Sequence, residues 1–130
     1  FLIIIDDKDI KKISHKYNIQ GPILKSWVKA LHQIRNICAH HGRVWNNDLR
    51  VKPLIPHKKN NPEFYFPNAI GNQKVFAILT IINYLLIRIN PQIEWGEKVM
   101  TLFNKYPNVP KDEMGFPDNW NEFEIWQLNY

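Results

Sequence analysis

The sequence predicts an all-α protein, a helical bundle with an irregular insertion and a C-terminal tail that wraps over the bundle. Two observations predict it. Four segments carry apolar residues at helical spacing, and the turn-forming residues are concentrated between the second and the third of them. The chain has 130 residues, of which 45% are hydrophobic and 13% aromatic. That is enough apolar material for a core, so we expect a single helical domain over residues 1–130.

Two helices are predicted in the first third of the chain. The first covers residues 8–17, where apolar side chains recur at helical spacing and acidic residues precede them, as the dipole of a helix N-terminus favours. The second carries a broad apolar stripe. It begins at Pro22, which suits the first position of a helix, and ends at residue 40 or 41, where Gly42 is free to adopt the left-handed conformation.

The sequence after the second helix predicts an insertion, two more helices and a C-terminal tail. Residues 43–72 are rich in Pro, Asn and Gly, which indicates irregular structure with short extended pieces or a small hairpin. Gln73–Ile89 is apolar on nearly all faces and is therefore expected at the centre of the core. A fourth helix is predicted over Pro91–Lys105. The tail, residues 107–130, should be anchored by its aromatic side chains, Phe116, Trp120, Phe123 and Trp126.

The charge is unevenly distributed along the chain. Residues 8–60 contain 12 basic and two acidic residues and so carry +10, whereas residues 61–130 contain five basic and eight acidic residues and carry −3. A basic half indicates a polyanionic partner, and nucleic acid is favoured over a membrane because no basic amphipathic stretch is long enough to lie in an interface. A solvated lysine-rich surface is the alternative interpretation.

Cysteine usage and hydropathy indicate a cytoplasmic protein without a membrane span. Cys38 is the only cysteine, so no disulfide can form within the chain and a reducing compartment is expected. The longest apolar stretch, residues 75–89, is shorter than the ~20 residues that span a bilayer. The chain starts with an apolar run, residues 1–5, and no Met. We therefore expect it to be the C-terminal portion of a longer protein.

A cluster of candidate catalytic residues lies at the end of the second helix. Asn36 and His40 are four residues apart and so share one helix face, where the amide can orient the imidazole. Arg35 is long enough to reach the same surface, and Arg43 lies just beyond. Cleavage of RNA by its own 2′-OH needs a base, an acid and a cation, which His and Arg supply without a metal. His40 alone can carry out only one of the two proton transfers, so His41 or a second copy of the chain would supply the other acid or base.

Other interpretations of this cluster are structural. Arg and His in the last turn of a helix stabilise its dipole and bind its free carbonyl groups. Cys38 and His41 have metal-ligand spacing, but no carboxylate or second cysteine pair accompanies them, so no metal and no cofactor is predicted. The remaining histidines, His15, His32 and His57, are isolated in the sequence and are interpreted as surface or cap residues.

Two longer blocks resemble a known family. Residues 26–46, SWVKALHQIRNICAHHGRVWN, are similar to the signature of the Abi-like proteins, the AbiD/AbiF group of bacterial abortive-infection factors that resist phage. Residues 114–120, MGFPDNW, followed by Trp126, resemble a second block of that family. The resemblance implies a HEPN-like helical bundle and an active site of the Arg-x4–6-His type, in a metal-independent ribonuclease whose site is typically composite across a dimer.

The same resemblance implies a role for each matching residue. Arg35 would bind the phosphate and the transition state, Asn36 would orient the site, and His40 would act as general base or acid. The other matching residues would contact RNA, with Trp45 either stacking on a base or packing: His41, Arg43, Trp45 and Asn46. The implied partners are an RNA substrate, a second copy in a homodimer, and an RNA or protein inhibitor. The implied product is a 2′,3′-cyclic phosphate.

Two further functions remain open from the residues alone. The first is a non-catalytic RNA-binding or regulatory module of a toxin–antitoxin-like system, which would keep the motif for its structure. The second is a nucleotide-binding helical domain that modifies a protein or an RNA. Formation of a cyclic phosphate end separates the ribonuclease from both.

Overall fold

The computed structural model of the chain is all-α in its described part, which comprises residues 7–39, 48–65, 69–90, 92 and 94–127. The predicted fold class is therefore confirmed. The helices are α1 (Asp7–Lys16), α2 (Gly21–Ala39), α3 (Val75–Ile89), α4 (Trp95–Lys105) and the single turn α5 (Glu124–Gln127). Among these helices, none combines the length and the apolar character needed to cross a bilayer.

The first two helices lie close to their predicted positions. α1 starts and ends one residue earlier than predicted, and Asn18 closes it in the left-handed conformation with φ of 56°. α2 starts at Gly21, where an added Cβ would stand 3.4 Å from Ile10 Cγ2, so the two helices approach closely at this point. The predicted end of α2 at residue 40 or 41 lies outside the described residues.

α3 begins at Val75, two residues later than predicted, because the preceding residues are bound to the insertion. The Gln73 carbonyl accepts the Leu49 N–H at 2.7 Å, and the Lys74 ammonium lies 2.9 Å from an Asp48 carboxylate oxygen. Lys74 is consequently extended, with φ of −121° and ψ of 173°. Contacts far along the chain thus hold this segment out of the helix.

α4 begins at Trp95, four residues later than predicted. The Asn90 side chain accepts the Gln92 N–H at 3.1 Å and so closes a local turn before the helix begins. Glu94, directly before α4, is left-handed with φ of 55°. The predicted end of α4 at Lys105 is confirmed.

The described part of the insertion is irregular, as predicted, but it contains no strand, so the expected short strands or hairpin are absent there. Its extended backbone has α2 side chains as partners in place of a second strand. The backbone of Val51 bonds to the Gln33 amide, and that of Leu54 bonds to Ser26 and Trp27. Prolines at positions 53 and 56 also lack the N–H that a strand ladder needs.

The centre of the core is an aromatic cluster that joins α2, α3 and the insertion. Trp27 is fully buried, and its ring meets Tyr84 edge-on at 5.6 Å and Phe64 at 6.2 Å. The Tyr84 hydroxyl donates to the Tyr17 carbonyl at 2.7 Å and accepts from the Asn61 amide at 3.2 Å. One hydroxyl of α3 therefore holds both the end of α1 and the insertion.

The C-terminal tail packs on α3 and α4, and its four predicted anchors are all buried. Phe116 lies 4.6 Å from the ring of Phe76, and Trp120 meets Trp126 edge-on at 5.1 Å. Two hydrogen bonds also join the tail to α3. Asn83 donates to the Ile125 carbonyl at 2.7 Å, and the Trp126 indole donates to the Thr80 hydroxyl at 3.2 Å.

We expect Tyr84→Phe to lower the free energy of unfolding by about 1–3 kcal/mol, because the partly buried Tyr17 carbonyl and the buried Asn61 amide lose a partner while the ring stays packed. Urea unfolding followed by circular dichroism measures it. Tyr106→Phe is the matched control, since Tyr106 is 51% exposed and should change stability by less than about 0.5 kcal/mol. Equal effects of the two changes would contradict the interpretation.

Gly115→Ala should lower the stability of the protein by about 1–3 kcal/mol, because it disturbs the packing of the tail against the start of α3. Gly115 has φ of +88°, and an added Cβ would stand 2.5 Å from Lys74 Cβ, beside the start of α3. At Gly71 an added Cβ meets nothing within 4 Å, so Gly71→Ala is the control and should be neutral or slightly stabilising. Thermal unfolding of both variants tests this, and a Gly115→Ala protein as stable as the control would show that the strain is absent.

Candidate active site

α2 presents three different sides to its surroundings. Its apolar side faces the core, a second side carries Ser26 and Gln33 and binds the insertion, and a third side is exposed. The exposed residues on α2 are polar or basic apart from the first: Pro22, Lys25, Lys29, Arg35 and Asn36. The candidate site lies at the C-terminal end of this exposed side.

The core side fixes the axis of α2 against α3. Ala30 is fully buried and clusters with Leu49 and Ile78, and Leu31, Ile34 and Ile82 pack around them. Ile34 directly precedes Arg35, so the packing of one residue sets the direction in which the next one points. Neighbouring residues of a helix are rotated by about 100°, so when Ile34 packs against the core Arg35 points away from it.

The second side of α2 brings basic residues of the insertion next to the helix. The Gln33 amide bonds to both backbone groups of Val51, with the Val51 N–H donating at 2.9 Å. Arg50 and Lys52 flank Val51 and are exposed. Two positive charges that are distant in sequence thus lie beside the turn of α2 that precedes Arg35.

The structure describes two of the three predicted catalytic residues. Arg35 and Asn36 are neighbours on α2, and both are exposed, as a substrate-binding pair needs to be. The remaining predicted site residues lie outside the described residues: His40, His41, Arg43, Trp45 and Asn46.

His32 joins this site, although the sequence indicates an isolated surface histidine. Its Nε2 lies 3.2 Å from Nδ2 of Asn36, one helical turn further on. With the amide nitrogen as donor, Nε2 accepts and the ring carries its proton on Nδ1. Nδ1 is buried and has no hydrogen-bond partner among the described residues. The four-residue spacing of His32 and Asn36 equals that of Asn36 and His40 and is the signal that could have identified the pair.

The described surroundings of the site are positive. α2 contains no acidic residue, and the nearest carboxylate in sequence after it, Asp48, is paired with Lys74 at 2.9 Å. Lys29 of α2 and the neighbouring Arg50 and Lys52 of the insertion are exposed and add positive charge around Arg35. Within the described ranges, no three His, Cys, Asp or Glu side chains are grouped as ligands for a metal ion. Fixed cations and a hydrogen-bonded imidazole suit the binding of a phosphodiester.

This arrangement defines a helical protein with a basic, histidine-bearing helix face. The family model described as Abi-like protein matches residues 1–46, which confirms the resemblance of residues 26–46 and extends the match to α1. The match ends at Asn46, so the resemblance of residues 114–120 stays a prediction. The description of the family model points to abortive infection, a defence against phage. No curated protein and no solved structure matches the chain.

Two substitutions on α2 should separate its structural side from its exposed side. Gln33→Ala removes both bonds to Val51 and should cost about 0.5–1.5 kcal/mol of stability. Asn36→Ala should change stability by less than about 0.5 kcal/mol, because Asn36 is exposed. It should, however, release His32 from a single tautomer, which the ring ¹⁵N shifts in NMR report. Unchanged shifts in Asn36→Ala would contradict the hydrogen bond.

Proposed function

We propose that this chain is part of a metal-independent endoribonuclease that acts in abortive infection and cleaves RNA by attack of the 2′-OH. The observation that carries the proposal is the family match over residues 1–46, which spans the whole Arg35-x4-His40 motif. The exposure of Arg35 and Asn36 and the positive charge around them support it. The HEPN-like assignment and the ribonuclease mechanism rest on the resemblance of the motif.

Each residue has a defined part in the proposed reaction. Arg35 binds the scissile phosphate and stabilises the charge that develops on it. His40 takes the proton from the 2′-OH, and O2′ then attacks phosphorus while the bond to O5′ breaks. A second acid delivers a proton to O5′. The products are a 2′,3′-cyclic phosphate and a 5′-hydroxyl, so all protons and bonds balance without a metal or another cofactor.

The second proton transfer needs another group. His41 of the same chain or His40 of a second copy in a symmetric homodimer would supply it. His32 is assigned a positioning role, since its Nε2 already accepts a hydrogen bond from Asn36 and the pair holds the amide beside Arg35. The RNA-contacting residues of the proposal are His41, Arg43, Trp45 and Asn46. An RNA or protein inhibitor would keep such an enzyme silent in uninfected cells.

Single-turnover cleavage of a labelled RNA in EDTA tests the proposal. Arg35→Ala should lower the rate by about 10²–10³, the usual loss when one group that stabilises a developing anion is removed. His40→Ala should abolish cleavage, and His32→Ala should have a smaller effect than either. Lys98→Ala, an exposed lysine of α4 in the acidic half, is the control and should retain the wild-type rate.

The ends of the product distinguish this mechanism from its alternatives. We expect 2′,3′-cyclic phosphate termini that treatment with polynucleotide kinase removes. Cleavage that survives in His40→Ala, or that requires a divalent ion, would overturn the proposal. Tight RNA binding without any cyclic phosphate product would favour the non-catalytic RNA-binding module instead.

A further inference from the structure

A broad cleft that is open to solvent lies between α1 and the tip of the insertion, at the opposite end of α2 from Arg35. Its volume is about 790 Å³. Ser14, Ile19 and Asn61 are its buried lining residues. The lining side chains that are exposed to solvent are basic or carry amides: Lys11, His15, Asn18, Gln20, Lys59 and Asn60.

The described lining of the cleft contains two lysines and no carboxylate. Lys11 lies on α1 and Lys59 on the insertion. Glu63, the nearest acid on the insertion side, contacts the Asn61 amide at 3.4 Å and is not part of the lining.

The two walls are held together by the core. Asn61 is 2% exposed, and its amide lies 3.4 Å from the Asn18 carbonyl and 3.2 Å from the Tyr84 hydroxyl. The tip is closed by the N–H groups of Asn60 and Asn61, which both donate to the His57 carbonyl. These contacts fix the backbone of the two walls relative to each other, as a preformed cleft requires, while the exposed side chains of Lys11 and Lys59 extend from them.

We propose that this cleft binds the sugar–phosphate backbone of single-stranded RNA at a distance from the cleavage site. Lysines and amides are the side chains that contact phosphate and sugar oxygens without reading sequence. Gly21, at the cleft end of α2, and Arg35 are 14 residues apart, which is about 21 Å along the helix. The cleft therefore holds a part of the strand several nucleotides from the scissile bond. The choice of RNA as the polyanion rests on the proposed function.

Salt-dependent binding of a fluorescein-labelled single-stranded RNA to the full chain tests the cleft, with fluorescence anisotropy as the readout. Lys11→Gln and Lys59→Gln should each weaken binding and reduce the slope of log K against log salt by roughly 0.7, so that the double variant loses roughly 1.4. Single-turnover cleavage at saturating RNA should remain at the wild-type rate, because Arg35 and His40 are intact.

The matched control is the double variant Lys98→Gln and Lys105→Gln, which removes the same charge from exposed positions of α4. It should leave the slope unchanged. Equal losses in the two double variants would show diffuse charge and overturn the cleft assignment. The cleft assignment would also be overturned if the unaltered chain did not bind RNA at low salt. The same holds if the cleft lysines affected only binding to anionic phosphatidylglycerol vesicles and not binding to RNA.

The two proposals fail in different ways. If the chain binds RNA through the cleft but yields no cyclic phosphate, the cleft stands and the ribonuclease proposal falls. If it cleaves RNA through Arg35 and His40 but binds with the same salt slope when Lys11 and Lys59 are changed, the cleavage mechanism stands and the cleft assignment falls.

Discussion

Trp27 is the residue on which the rest of this structure depends. Its ring fills the centre of the core between Tyr84 of α3 and Phe64 of the insertion, and its indole N–H donates to the Leu54 carbonyl at 2.8 Å. A single side chain of α2 therefore satisfies a backbone group of the insertion while it excludes water from the aromatic cluster. The insertion can be irregular because the helix supplies the hydrogen bonds that a second strand would otherwise provide.

Helical spacing predicts α1 to α4 but not the single turn α5, which lies in the predicted tail, and it places the starts of α3 and α4 too early. Residues 73–74 continue the predicted pattern, but Leu49 and Asp48, some 25 residues earlier, bind them in an extended conformation. At α4 the side chain of Asn90 completes a local turn, and the next helix starts only after Glu94. The spacing of apolar residues cannot predict pairing with distant residues or competition of side chains for backbone groups.

The candidate site was predictable where it is local and was missed where it depends on tertiary contacts. Arg35 and Asn36 belong to a short motif, so the local sequence and its resemblance to the family are enough to propose them as site residues. His32 lies four residues before Asn36 and so shares its helix face, but its interpretation as an isolated surface residue does not include this contact. The placement of Arg50 and Lys52 depends on the bond between Gln33 and Val51, residues 18 positions apart, and no local pattern contains it.

The attachment of the insertion to α2 makes access to the helix directional. The core covers one side of α2, and residues 49–54 of the insertion bind a second side. Past the described residues, a ligand that reaches Asn36 therefore approaches over the third side. Along the helix axis it passes Lys29, and from the direction of the insertion it passes Arg50 or Lys52. Both routes favour a ligand of high negative charge density over a neutral one before any contact with Arg35 is made.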